Sequence, residues 1–182
     1  MEWLQTINDR IPDYAKDLRL NFDAVISRSS LAPAEAVGAA LAAAFAARSA
    51  PLVEALREAP PLDATHAQAA LTAAALMGMN NVWYPFVEMA ADAELKTVRP
   101  ELRMNAYATH GGVERKRFEL YALAASIVGK CGFCIQSHAK LLRECGLSTQ
   151  QLRDVGRIAA VVNAVAQVLA AEPVTTAAAV AA

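Results

Sequence analysis

Apolar side chains recur along this chain at three- and four-residue intervals, and the strict alternation of a half-buried strand is scarce. The pattern predicts an all-α protein. Asp13 to Leu18 starts a short helix after Pro12. Pro33, at the favoured first-turn position, opens a helix running to about Arg48, and Pro51 opens another. A segment from Asp63 to about Met77 reads as helix up to a break at Gly78-Met79-Asn80-Asn81, then resumes through Trp83 towards Ala91. Arg99-Pro100 begins a connector and Gly111-Gly112 marks a turn. Glu114 to Val128 is helical, Gly129-Lys130 punctuates, Cys131 to Cys145 forms the next helix, and Gly146 stops it. Ser148 with Gln151 three residues later has the form of a capping box for a last helix ending near Ala171. The Ala-rich tail after Pro173 reads as frayed, which leaves one domain over 1–172 and a tail over 173–182.

Offsetting the chain against itself by 51 residues pairs Gly78 with Gly129 and Ala73-Ala74 with Ala124-Ala125. Under that offset Asn80 falls on Cys131, Trp83 on Cys134, Val87 on His138 and Gln68 on Glu119. Two explanations stand: a duplicated helical hairpin whose first copy carries none of the reactive side chains, or chance similarity between Ala-rich helices.

Composition narrows the class. At 182 residues and 55% hydrophobic, the chain is long and apolar enough to bury one core. A formal charge of -1 provides no basic field for nucleic acid or anionic lipid. Met1 to Arg10 lacks the pattern of a secretory signal, which points to a cytoplasmic protein. The apolar runs Leu31 to Ala47 and Ile158 to Ala171 are interrupted by Pro33 and Glu35, and by Asn163 and Gln167, so neither reads as a membrane span. Three cysteines do not make a disulfide framework. A close pair in an intracellular chain is more often catalytic or metal-binding.

The chemistry concentrates at Cys131-Gly132-Phe133-Cys134. His138 follows four residues later, so on a helix Cys131, Cys134 and His138 share one stripe. A cysteine in a helix's first turn meets free N–H groups and the positive end of the dipole, which favour thiolate. Glu119 lies ten residues before Gly129 and His138 nine after it; an antiparallel hairpin about that turn sets carboxylate and imidazole at equal height. Flanked by Phe118, Leu120 and Tyr121, Glu119 needs such a partner. The resulting arrangement has the nucleophile, base and orienter of a proton relay. His138 is one turn from Cys134 and roughly 10 Å along the axis from Cys131, so proton transfer favours Cys134 while the dipole favours Cys131. Cys145 reads as a buried apolar residue, and His66 and His110 as surface or capping histidines.

From Asp13-Tyr14-Ala15-Lys16-Asp17, through Met77-Gly78-Met79-Asn80-Asn81 and Leu102-Arg103-Met104-Asn105, to Phe118-Glu119-Leu120 and Cys131-x-x-Cys134-x-x-x-His138, the chain resembles the alkyl hydroperoxidase D family of the carboxymuconolactone decarboxylase-like superfamily. The resemblance implies an all-helical protomer, commonly trimeric, that reduces alkyl hydroperoxides without a tightly bound cofactor. It implies a dihydrolipoyl carrier protein as electron donor and a partner peroxiredoxin that is recycled. Cys134 would become the sulfenic acid, Cys131 would be proton donor and resolving thiol closing the disulfide, and Glu119 with His138 would form the relay. Some members carry a histidine where this chain has Phe133. Two other readings are decarboxylase-like chemistry, which leaves the redox pair unexplained, and a helical module whose cysteines bind metal or sense oxidant.

Overall fold

The structure is a computed structural model, described over residues 2–172; the expected tail lies outside the described residues. The described residues are all-α. Helices α1 (Glu2–Asn8), α2 (Lys16–Ser27), α3 (Pro33–Ala46), α4 (Ala50–Arg57), α5 (Ala64–Ala90), α6 (Asn105–Ala108), α7 (Arg115–Val128), α8 (Gly132–Glu144) and α9 (Thr149–Ala171) follow in chain order, with 3-10 turns at Asp13–Ala15, Leu95–Thr97 and His110–Gly112. The helix after Pro12 extends well past the predicted Leu18.

The alanine content explains the packing. Ala36 to Ala44 of α3 are buried on every face, so α3 is a central helix. Small side chains let α5, α7 and α9 approach it closely. At Gly38 the approach is close, because a methyl group there would overlap the Tyr121 ring of α7.

The predicted break at Gly78 is absent: α5 is continuous through it. A helical glycine costs only about 1 kcal/mol, and the anchoring of neighbouring residues outweighs that. Asn81 Nδ2 donates to Ala125 O at 3.2 Å, and Met77 and Asn80 are buried. The segment matched to the α7–α8 hairpin is one continuous helix, so the two segments differ in shape where α7 turns into α8. Yet α5 and α7 run side by side in the same direction. His66 contacts Arg117 at 2.8 Å, and Asn80 O lies 3.9 Å from Cys131 Sγ, both pairs 51 residues apart.

Helix α9 is long and apolar enough, by length and composition alone, to cross a membrane, contrary to the sequence reading. Its Val155, Ile158, Val162, Val165 and Leu169 are buried and it packs on α2, α3 and α7, so the apolar residues serve the core. Ser148 and Gln151 form the expected reciprocal cap.

Buried Asp154 ties α9 to the loop before α3. It accepts from Ser30 N at 2.8 Å and Ser30 Oγ at 2.7 Å, with Arg153 at 3.1 Å. Burial pushes its carboxyl up, but the Ser30 hydrogen bonds and Arg153 more than offset this and hold it down at about 2. A carboxyl depressed on folding adds stability above its unfolded value near 4, and that stability fades as pH falls towards about 2. Asp154→Asn should therefore lose about 2 kcal/mol at neutral pH. Urea unfolding at pH 7 and pH 2.5 checks this: the gap between variant and wild type should shrink sharply at the lower pH, and an unchanged gap contradicts the assignment.

Candidate active site

Gly129 and Lys130 turn the chain between α7 and α8. Lys130 sits in the left-handed region at φ 56°, and Gly129 is required by a close approach, because a methyl there would overlap Asn81. The turn delivers Cys131 to the N-cap of α8, where its sulfur accepts the Cys134 N–H at 3.2 Å. Cys131 and Cys134 form a disulfide with Cα atoms 5.3 Å apart, and both are buried, at 0% and 3% exposure.

The same turn folds α8 back along α7. Glu119 and His138 meet at equal height, Nδ1 to Oε2 at 2.6 Å, as the hairpin register requires. Neither faces solvent, at 0% and 5% exposure. Tyr107 of α6 donates its hydroxyl to the other carboxylate oxygen, Oε1, and Arg115 stands 3.9 Å from it. Burial pushes the Glu119 carboxyl up, but hydrogen bonds from His138 and Tyr107, with the charges of His138 and Arg115, more than offset it and hold the group below its ordinary value. Tyr107 is driven well above the usual phenol range, by burial first and then by its bond to Glu119, so it stays a donor. On the far side of His138, Nε2 lies 3.1 Å from Met77 Sδ of α5.

Tyr107 and Met77 carried no spacing signal in the sequence. Both reach the site from other elements, and only their places in or beside the Met77-Asn81 and Leu102-Asn105 segments drew attention to the neighbourhood.

Two cavities lie beside the first turns of α8. One cleft of about 570 Å³ is lined by Trp83, Val87, Lys96, Arg99 and Gly132 among others, and a second of about 350 Å³ by Asn80, Met104, Tyr107 and His138. Tyr84 and Phe133 line both. Their rings stack at 4.2 Å between centroids, so Phe133 is part of the partition between the two.

Cys145 is exposed, not buried as expected. It is the C-cap of α8, where the helix ends, and Leu147 instead turns back into the core. His66 lies between Asp63 Oδ1 and Arg117, each 2.8 Å away; Arg117 can only donate, so Nε2 accepts and Nδ1 donates to the helix-capping Asp63. His110 packs near Tyr107 and Phe118. Among the described residues no group of three or more His, Cys, Asp or Glu is placed to hold a metal ion.

The site is thus a disulfide at a helix start, with a buried carboxylate–imidazole pair one turn away, on an all-α frame. The sequence pattern of the carboxymuconolactone decarboxylase family matches residues 93–177. The chain is 47% identical over 171 residues to the alkyl hydroperoxide reductase AhpD of Rhodospirillum centenum, covering 93% of this chain and 91% of that protein. It is 44% identical over 170 residues to the protein of that name from Coxiella burnetii, covering 91% and 96%, and 41% identical over 174 residues to that of a Bradyrhizobium species, covering 94% and 96%. The chain belongs to the AhpD family, within the carboxymuconolactone decarboxylase-like superfamily.

Proposed function

We propose that this protein reduces alkyl hydroperoxides by a dithiol–disulfide cycle at Cys131 and Cys134. The observation that carries the reading is the buried Glu119–His138 pair at 2.6 Å, one helical turn from the cysteine pair. Redox chemistry at sulfur needs a thiolate and a proton at defined moments, and an oriented imidazole handles both.

In the cycle, His138 takes the Cys134 proton and Glu119 stabilises the imidazolium. The Cys134 thiolate attacks the outer peroxide oxygen, the O–O bond breaks, and the alcohol leaves with a proton supplied by Cys131. Cys134 is then a sulfenic acid. The Cys131 thiolate attacks that sulfur, hydroxide leaves and takes a proton from solvent as water, and the disulfide closes with His138 still protonated. A dihydrolipoyl group on a carrier protein returns two electrons and two protons, and a peroxiredoxin partner is recycled by exchange with the reduced pair. The relatives' names support the hydroperoxide; the donor, the peroxiredoxin, a trimer, a cytoplasmic setting and the absence of a tightly bound cofactor come from the family resemblance and from the sequence.

Steady-state reduction of an organic hydroperoxide, with a dihydrolipoyl domain and with thioredoxin as alternative donors, tests this. Turnover should be faster with the dihydrolipoyl domain. Faster turnover with thioredoxin rejects the donor and leaves the peroxidase, whereas no turnover with any dithiol rejects the function.

A further inference from the structure

Met77 sits where α5 packs against the α7–α8 hairpin, and its side chain is fully buried. Its Sδ faces His138 Nε2 at 3.1 Å while Glu119 Oε2 faces Nδ1 at 2.6 Å. A thioether has no hydrogen to give, and neither has an ionised carboxylate. Each ring nitrogen must then supply the hydrogen of its own contact, and no neutral tautomer supplies both. The other groups around the ring leave this count unchanged. Tyr107 and Arg115 act on Oε1 of Glu119, on its outer side, and the Cys131–Cys134 disulfide is without an S–H.

The geometry points to Met77 as a positioning residue whose sulfur accepts Nε2–H of a doubly protonated His138 while the cysteines are disulfide-bonded, holding that proton for the thiolate released on reduction. The inference rests on the reductive half of the proposed cycle. There a donor thiolate attacks one cysteine sulfur and the S–S bond breaks, leaving its electron pair on the other; the second donor thiol then attacks the first donor sulfur and displaces the attacked cysteine as a thiolate. In either order Cys134 leaves once as a thiolate, and the Nε2 proton moves to it. The donor's two thiols shed two protons: one ends on Cys131 and the other passes to solvent, which leaves His138 neutral and able to take the Cys134 proton in the next turn. An acceptor as weak as a thioether suits this task, since it orients the N–H and releases it readily.

Nitrogen-15 spectra of the histidine-labelled disulfide form at pH 7 read the ring directly and need no substrate. Wild type should show both His138 nitrogens protonated. Met77→Leu, which conserves volume but removes the acceptor, should leave Nε2 unprotonated, and Met77→Gln, whose amide oxygen accepts, should restore it. Single-turnover reduction by a dithiol should slow about tenfold in Met77→Leu and recover in Met77→Gln. An unprotonated Nε2 in wild type, or a Met77→Leu ring identical to wild type, overturns the inference. Because the spectra are taken on the protein alone, a failure of dithiol turnover in wild type would sink the proposed function without imitating either result.

Discussion

Cys134→Ser should abolish hydroperoxide reduction, while Cys131→Ser should oxidise once and stall with sulfenic acid on Cys134. Two effects compete for the role of attacking thiolate. Cys131 has the better electrostatic position: its sulfur caps α8 and already accepts the Cys134 N–H at 3.2 Å, which favours negative charge on it. Cys134 has the better proton path, one turn from His138 on the same helix, and it is the less buried of the two, at 3% against 0%. Attack needs the thiolate and a route for its proton together. A low-lying thiolate is also the weaker nucleophile, so stabilising Cys131 suits it to resolve the sulfenic acid. Each serine variant, treated with limiting peroxide and a sulfenic-acid trap, reports the outcome by mass spectrometry. Label on Cys131 in the Cys134→Ser protein would reverse the assignment.

Glu119→Gln should lower kcat/KM on the order of 100-fold while the protein remains folded. The amide keeps the shape of the carboxylate but removes the charge that stabilises an imidazolium, and it presents an N–H₂ to one of two groups that now donate, His138 Nδ1 or the Tyr107 hydroxyl. Glu119 is held in its ionised form by its neighbours, so wild-type activity should not depend on its titration between about pH 5 and 8. Kinetics with a saturating donor, alongside a thermal melt, separate the relay from simple destabilisation. A loss of less than threefold would show that the pair is structural.

The sequence made the hairpin readable because its geometry is local. Gly129 and Lys130 mark the turn, and counting from it aligns Glu119 with His138 without knowledge of the rest of the fold. Helix ends carrying their own chemistry, such as Pro33, the Ser148–Gln151 cap and Gly146, were equally legible. The interior of α5 was not. Gly78 signals a break locally, and only the contacts of Met77, Asn80 and Asn81 with α7 and α8 keep the helix intact. Tyr107 escaped for the same reason: it reaches Glu119 from a four-residue helix. Cys145 shows the opposite failure, an apolar residue assigned to the core although its helix ends there.

Most helices begin with an inert cap, an oxygen of serine, threonine, aspartate or asparagine that does the same work throughout the life of the protein. In α8 the capping atom is the sulfur of Cys131, the same atom that is bound in the disulfide. Opening that bond changes the acceptor, to a thiol and, once Cys131 has given up its proton, to an anionic thiolate, so the grip on the first turn of α8 would tighten and slacken with the state of the pair. The amide of Cys134 thereby becomes a built-in gauge: its hydrogen-exchange rate should differ between the two oxidation states, and a docking partner could sense the difference through the stiffness of one helical turn.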